Sequence, residues 1–217
     1  GKRELRGRVV TTRQEDMLIR GVPMVDQGRK GYCACAATAR ILQYFGRRVD
    51  QHEIAQIANT GKLGTSPQEL LEALKRIRGK FRISVKTETM LDVDDVRRIV
   101  RDYNRLARRA DKAAIKLPRR GPIQLNRTFA AMDLELLQAA RMKRSSVVSD
   151  FEEAIRENIE DGLPLAWSVI LGLVEERNLP QASGGHMRLI IGYNAKTKEV
   201  VYTDSWGRGH EQKRMSL

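Results

Sequence analysis

Asp26-Gln27-Gly28-Arg29-Lys30-Gly31-Tyr32-Cys33-Ala34-Cys35-Ala36-Ala37 is the stretch on which the fold turns. Its first half is charged and punctuated by glycine, and reads as a loop. Its second half opens an apolar pattern through Cys35, Ala36, Ala39, Ile41, Leu42 and Phe45 that fits a buried helix ending at Gly46. Cys33 therefore stands at a helix start. Unpaired N–H groups and the positive end of the helix dipole favour thiolate over thiol there. Arg29 and Lys30 add positive charge nearby. The bland alternative is a packed cysteine, since free cysteine is among the most buried residue types. Positions two apart on a helix face nearly opposite sides, so if Cys33 looks outward, Cys35 packs inward beside Ala36 and Ala39.

Helices continue downstream. Asp50 is a candidate cap for a second helix reaching about Ala58. Ser66-Pro67-Gln68-Glu69 combines a capping serine, a first-turn proline and a glutamate that reaches back. That helix is expected to run to Ile77 and stop at Gly79. Residues 81–88 alternate through Phe81, Ile83 and Val85 and read as a strand. From Asp92 to about Leu117 runs a highly charged helical pattern with Val96, Val100, Tyr103 and Leu106 on one face, broken over residues 118–122. A short helix is expected over Leu134–Met142. Ser149-Asp150-Phe151-Glu152 reads as another capping box, for a helix ending at Gly162. Strands are expected over Leu165–Leu171, 187–193 and 200–203, with a polar turn over 194–198. Residues 1–25 read as an irregular or extended arm. Helices in front and strands behind predict an α+β fold.

Hydrophobic residues make up 41% of the 217, enough for a packed core, and aromatics only 5%, so that core is aliphatic. Two cysteines, Cys33 and Cys35, exclude a disulfide-stapled scaffold. With three scattered histidines they form no zinc spacing, so neither a metal nor another cofactor is expected. No apolar run approaches the ~20 residues of a membrane span. No export signal is visible, and the start at Gly1 leaves room for one already removed. The compartment stays open, with an extracytoplasmic address among the expectations.

Forty basic residues against 27 acidic leave a net charge of +13. They cluster at Lys2 to Arg8, at Arg97, Arg98, Arg101, Arg105, Arg108, Arg109, Lys112, Lys116, Arg119 and Arg120, and at Arg141, Lys143 and Arg144. Such a surface suits an acidic partner, although a solvated basic face with no dedicated partner is the commoner explanation. Few aromatics interleave with the charges, which argues against nucleic acid.

Two further residues carry chemistry. His186 follows Ser183-Gly184-Gly185 and begins an apolar strand. The glycines admit other groups close to the imidazole, and the strand anchors it as a general base requires. Asp204 ends the last strand, before Ser205-Trp206-Gly207, placed to accept a hydrogen bond from a histidine. Taken singly, an exposed strand-edge histidine and a turn-forming aspartate explain both.

Together these segments resemble the papain-like cysteine peptidases. In that family a glutamine precedes the nucleophile by six positions, as Gln27 precedes Cys33. His186-Met187-Arg188-Leu189-Ile190-Ile191-Gly192-Tyr193 is similar to the histidine strand that runs into Gly-Tyr, and Asp204-Ser205-Trp206-Gly207 to the family's Asn-Ser-Trp-Gly. Gly162-Leu163-Pro164 is similar to the family's entry into its first barrel strand. The resemblance implies that Cys33 is the nucleophile and His186 its base. Asp204 would orient His186, Gln27 would serve the oxyanion hole, and Trp206 would cover the pair from water. Gly184, Gly185 and Trp206 would border the substrate.

Ala34 replaces the family's tryptophan, Asp204 its asparagine, and the extra cysteines of the secreted branch are missing. These departures resemble the bacterial branch of double-glycine leader peptidases, which process bacteriocins. The implied layout has two lobes. Residues 20–80 form a helical lobe with the nucleophile, and 150–210 an antiparallel sheet or barrel lobe with the histidine and aspartate. A mainly helical basic insertion lies over 85–148, all within one catalytic domain. Peptide hydrolysis is the implied activity. A transglutaminase-like acyl transfer by the same residues, or a basic binding module without activity, are the alternatives.

Overall fold

The computed structural model of the chain describes residues 1–61, 64–181 and 183–217. The chain divides into two units, each held by its own apolar core. The first comprises Gly1–Lys86, Glu153–Val169 and His186–Leu217, and the second Thr87–Glu152 and Ile170–Gly185.

The first unit is built around helix α2 (Cys33–Tyr44), after a short α1 (Lys2–Arg6). Ala34, Cys35, Ala36, Ala37 and Ala39 are all buried, because small side chains let other elements approach the helix closely on every face. Gly46, with φ +77°, lets the chain leave the helix. Helix α3 (Gln51–Ile57) begins at Asp50, whose carboxylate accepts the His52 and Glu53 N–H groups, as expected. Helix α4 (Pro67–Phe81) has the expected Ser66–Glu69 capping box but does not stop at Gly79. Phe81 lies four residues after Ile77 on the same buried face, and that burial carries the helix past the glycine to Arg82 in the left-handed region. For the same reason the strand expected over 81–88 is absent. Its apparent alternation took Phe81 from the end of a helix, and Val85 is exposed.

Six strands form an antiparallel sheet. They are β1 (Val9–Thr11), β2 (Met17–Ile19), β3 (Leu165–Leu171), β4 (Gly184–Asn194), β5 (Glu199–Thr203) and β6 (Lys213–Ser216), in the order β1-β2-β4-β5-β6 with β3 also paired to β4. The sheet and the helices make the fold α+β. Register runs through Met17↔Tyr193 between β2 and β4, and Leu189↔Thr203 between β4 and β5. Met187, Leu189 and Ile191 join the core that α2 lines, so His186, Arg188 and Ile190 occupy the other face of β4. The start of the chain is therefore no irregular arm. It is a helix and a hairpin, the latter clamped by Asp16 to Asn194 (2.8 Å) and to Arg214 of β6.

The second unit centres on α5 (Val93–Arg109), capped by Asp92, with Val96, Val100, Tyr103 and Ala107 buried. It stops well before Leu117. Asn104 instead binds both the N–H and the carbonyl of Ile115, tying a non-helical segment to the helix. Helices α6 (Leu125–Ala130) and α7 (Leu134–Met142) follow. The expected second capping box is not one. Ser149 lies inside α8 (Ser145–Glu160), whose buried Ile155 and Ile159 belong to the part of the helix in the first unit. After α8, Gly162 turns with φ +74°, so close to the Leu5 carbonyl that a Cβ would lie 2.3 Å from it. Among the described residues no helix is long and apolar enough to cross a membrane.

Candidate active site

Cys33, His186, Asp204, Gln27 and Trp206 all fall in the first unit. Cys33 is the first residue of α2 and is half-buried, whereas Cys35 is fully buried, its Sγ 3.2 Å from Thr60 Oγ1. The loop ahead of Cys33 is shaped by Asp26, whose Oδ1 accepts the Gly28 N–H at 2.8 Å, with Gly28 at φ +66°. Gln27 is buried and its N–H donates to the Ser205 carbonyl at 2.7 Å, which joins the loop before Cys33 to the loop after β5.

His186 and Asp204 are shut off from solvent, with side chains 1% and 0% exposed. The imidazole Nε2 donates to Asp204 Oδ1 at 2.7 Å. That commits the ring and leaves Nδ1 for Cys33, with which His186 shares a second side-chain hydrogen bond. Trp206 lies flat on the imidazole, centroids 4.2 Å apart and planes 8° apart. Gly184 and Gly185 fall in the second unit; Gly184 has φ +110° with the Gln181 side chain 3.0 Å from where its Cβ would stand, and a Cβ on Gly185 would meet nothing within 4 Å.

The electrostatics act on both partners. Burial by itself pushes the Cys33 thiol up. The hydrogen bond and charge of His186, and the backbone groups of Met187 and Ala34, outweigh it and bring the thiol below its ordinary range. Burial likewise pushes His186 down, and the hydrogen bonds and charges of Asp204 and Cys33 reverse it, leaving His186 above its ordinary value. Both changes favour thiolate and imidazolium over thiol and imidazole. Lys30, expected to assist, is turned over the Tyr32 ring at 5.4 Å. Cys35 moves the other way, raised chiefly by burial.

Three residues in this region escaped the sequence reading. Arg40 of α2 donates to the Pro23 and Asp204 carbonyls (2.7 and 2.8 Å) and to Thr203 Oγ1 (2.6 Å). Arg188 donates from Nε to Asp204 Oδ1 at 3.2 Å. His210 is buried with its ring edge-on to Trp206 at 5.5 Å. A signal existed for the two arginines, since each interrupts an apolar run. Among the described residues no cluster of three or more His, Cys, Asp or Glu side chains could hold a metal ion.

The profile of the Peptidase C39 family matches residues 21–100, and that of the Peptidase C39 like family matches residues 123–217. The first match contains Gln27 and Cys33, the second His186 and Asp204. The chain is related to the C39 cysteine peptidases. This is the papain-like relationship that the Gln27–Cys33, His186 and Asp204 segments imply, on the side of the bacteriocin-processing enzymes. No curated protein matches the chain.

Proposed function

We propose that the chain is a cysteine peptidase with Cys33 as nucleophile, His186 as general base and acid, and Asp204 holding the imidazole. The observation that carries this reading is the hydrogen-bonded series Cys33–His186–Asp204, in which the thiol is lowered and the imidazole raised. Cys33 Sγ adds to a peptide carbonyl carbon and the carbonyl oxygen takes the negative charge. The imidazolium gives its proton to the leaving amine as the C–N bond breaks, leaving a thioester. Water then adds to the thioester carbon, its proton goes to His186, and the C–S bond breaks to release the acid. Gln27 and the Cys33 N–H would face the oxyanion. Trp206 keeps water from the His186–Asp204 bond. In this reading residues 20–80 and 150–210 are the two lobes of a papain-like domain, and 85–148 is an insertion between them.

A peptide-library cleavage profile of the full chain and of Cys33→Ala tests the proposal. Cleavage should disappear in the variant, and iodoacetamide should label Cys33 in the wild type. Full activity in Cys33→Ala, or labelling of Cys35 instead, would falsify the assignment. Added amine acceptors separate hydrolysis from acyl transfer by the bond that appears.

A further inference from the structure

Strand β4 places an arginine among Met187, Leu189, Ile190 and Ile191. Arg188 and Asp204 are each 0% exposed at the side chain. The reason they meet is register. One step past the Leu189↔Thr203 pair, Arg188 and Asp204 fall opposite each other. Arg188 Nε donates to Asp204 Oδ1, the oxygen that also takes the His186 Nε2–H. The guanidinium carbon stands 4.4 Å from the centroid of the Tyr202 ring, which fixes its plane. Taking a guanidinium out of water costs several kcal/mol, and an apolar residue would pack the strand without that cost. The other buried arginine, Arg40, reaches Asp204 through its backbone carbonyl. Arg188 is the cation on the carboxylate itself.

The charges explain what it does there. With Cys33 as thiolate and His186 as imidazolium, those two cancel and Asp204 leaves one negative charge in a site closed to water. Once the imidazolium has given up its proton, the carboxylate faces a neutral ring, and the Arg188 guanidinium stays beside it. Arg188 compensates Asp204 in both states. We propose that Arg188 is a positioning residue that acts through Asp204, balancing the carboxylate's charge and holding Oδ1 aimed at His186, so that Cys33 stays reactive under acidic conditions. This rests on the reading of Cys33, His186 and Asp204 as the reacting set. Other groups facing this cluster include Arg40 from α2, Tyr202 and Thr203 from β5, Lys213 from β6, and Asp26, His210 and Glu211 from the adjoining loops.

The test is the rate of Cys33 alkylation by iodoacetamide, which needs no substrate. Arg188→Met should slow it about tenfold or more near pH 6 and by less than about twofold near pH 9, where the thiol ionises unaided. Arg188→Lys keeps the charge and gives up the planar group stacked on Tyr202, so near pH 6 its rate should fall between those of Arg188→Met and the wild type. In an Asp204→Asn background, adding Arg188→Met should change the rate by less than about twofold, since the group it acts through is gone. The proposal is overturned if Arg188→Met keeps the wild-type profile, or if it slows alkylation equally in the Asp204→Asn background. Should Arg188→Met fail to fold, Arg188→Lys decides, and loss of its low-pH reactivity in a folded protein overturns the proposal. A wild type whose Cys33 reacts near pH 6 no faster than in the unfolded chain overturns the peptidase reading instead.

Discussion

Arg40→Met sets two large effects against each other. Arg40 donates four hydrogen bonds, to the Pro23 carbonyl (2.7 Å), the Asp204 carbonyl (2.8 Å), Thr203 Oγ1 (2.6 Å) and Ser205 Oγ (3.3 Å). Burial lowers its guanidinium to about 10, against the pull of Asp204 and Glu211, so it stays protonated at neutral pH. That lowering corresponds to a burial cost of about 3 kcal/mol, which methionine would relieve. Four charge-assisted bonds at about 1.5 kcal/mol each are worth about 6 kcal/mol, and methionine restores none of them. The bonds win, and the variant should be less stable by about 3 kcal/mol. With a urea dependence of about 2 kcal/mol per molar, the unfolding midpoint should fall by about 1.5 M. Circular dichroism in urea at neutral pH reads it directly. Arg40 also ties the helix that begins at Cys33 to the chain at Asp204. A displacement of about 1 Å there should slow Cys33 alkylation about 100-fold. An Arg40→Met protein with the wild-type midpoint would mean that desolvation cancels the whole network, and the reasoning would be wrong.

Two other outcomes follow from the same geometry. The hydrogen bond from Arg214, working against burial and with help from Asn194 and Thr12, lowers Asp16 to about 2 from an ordinary 3.8. A carboxylate lowered on folding contributes stability that is fully present above its unfolded value and lost as pH falls through the folded one. Asp16→Asn should therefore cost about 2 kcal/mol at neutral pH and nothing below about pH 2, read from urea midpoints at both ends. Trp206→Ala uncovers His186 to water and should cut the rate of Cys33 alkylation near pH 6 about tenfold, with the circular dichroism spectrum unchanged.

What the sequence revealed depended on how local the cause was. α3 was legible because Asp50 caps it from one residue away, and β4 and β5 because burial wrote apolar runs. β1, β2 and β6 are three or four residues each; β2 and β6 exist because β4 and β5 pair with them, a cause outside their own few residues, and β1 because β2 does. The end of α4 was misplaced because Gly79 is a local signal and the burial of Phe81 a tertiary one. Among the site residues, spacing drew attention to Gln27 and Cys33, and the structure brings Cys33 to His186 and His186 to Asp204. Arg188 and Arg40 went unread because a buried charge makes sense only with its partners in view. Arg188 became intelligible through the β4–β5 register and Arg40 through a carbonyl far along the chain.

The pairing of β2 with β4 carries a consequence for how the chain is made. The β1–β2 hairpin is translated long before the strand it pairs with, and strands of three residues do not hold together alone. Its partners Gly192 and Tyr193 follow roughly 170 residues later. At ~5–20 residues per second the wait is roughly 10–35 s, during which the apolar faces of α2 and α4 have no sheet to cover them. Cys33 spends the same interval as an ordinary thiol, because the imidazole that lowers it has yet to be translated. A nascent chain of this topology is chemically quiet until β4 and β5 emerge.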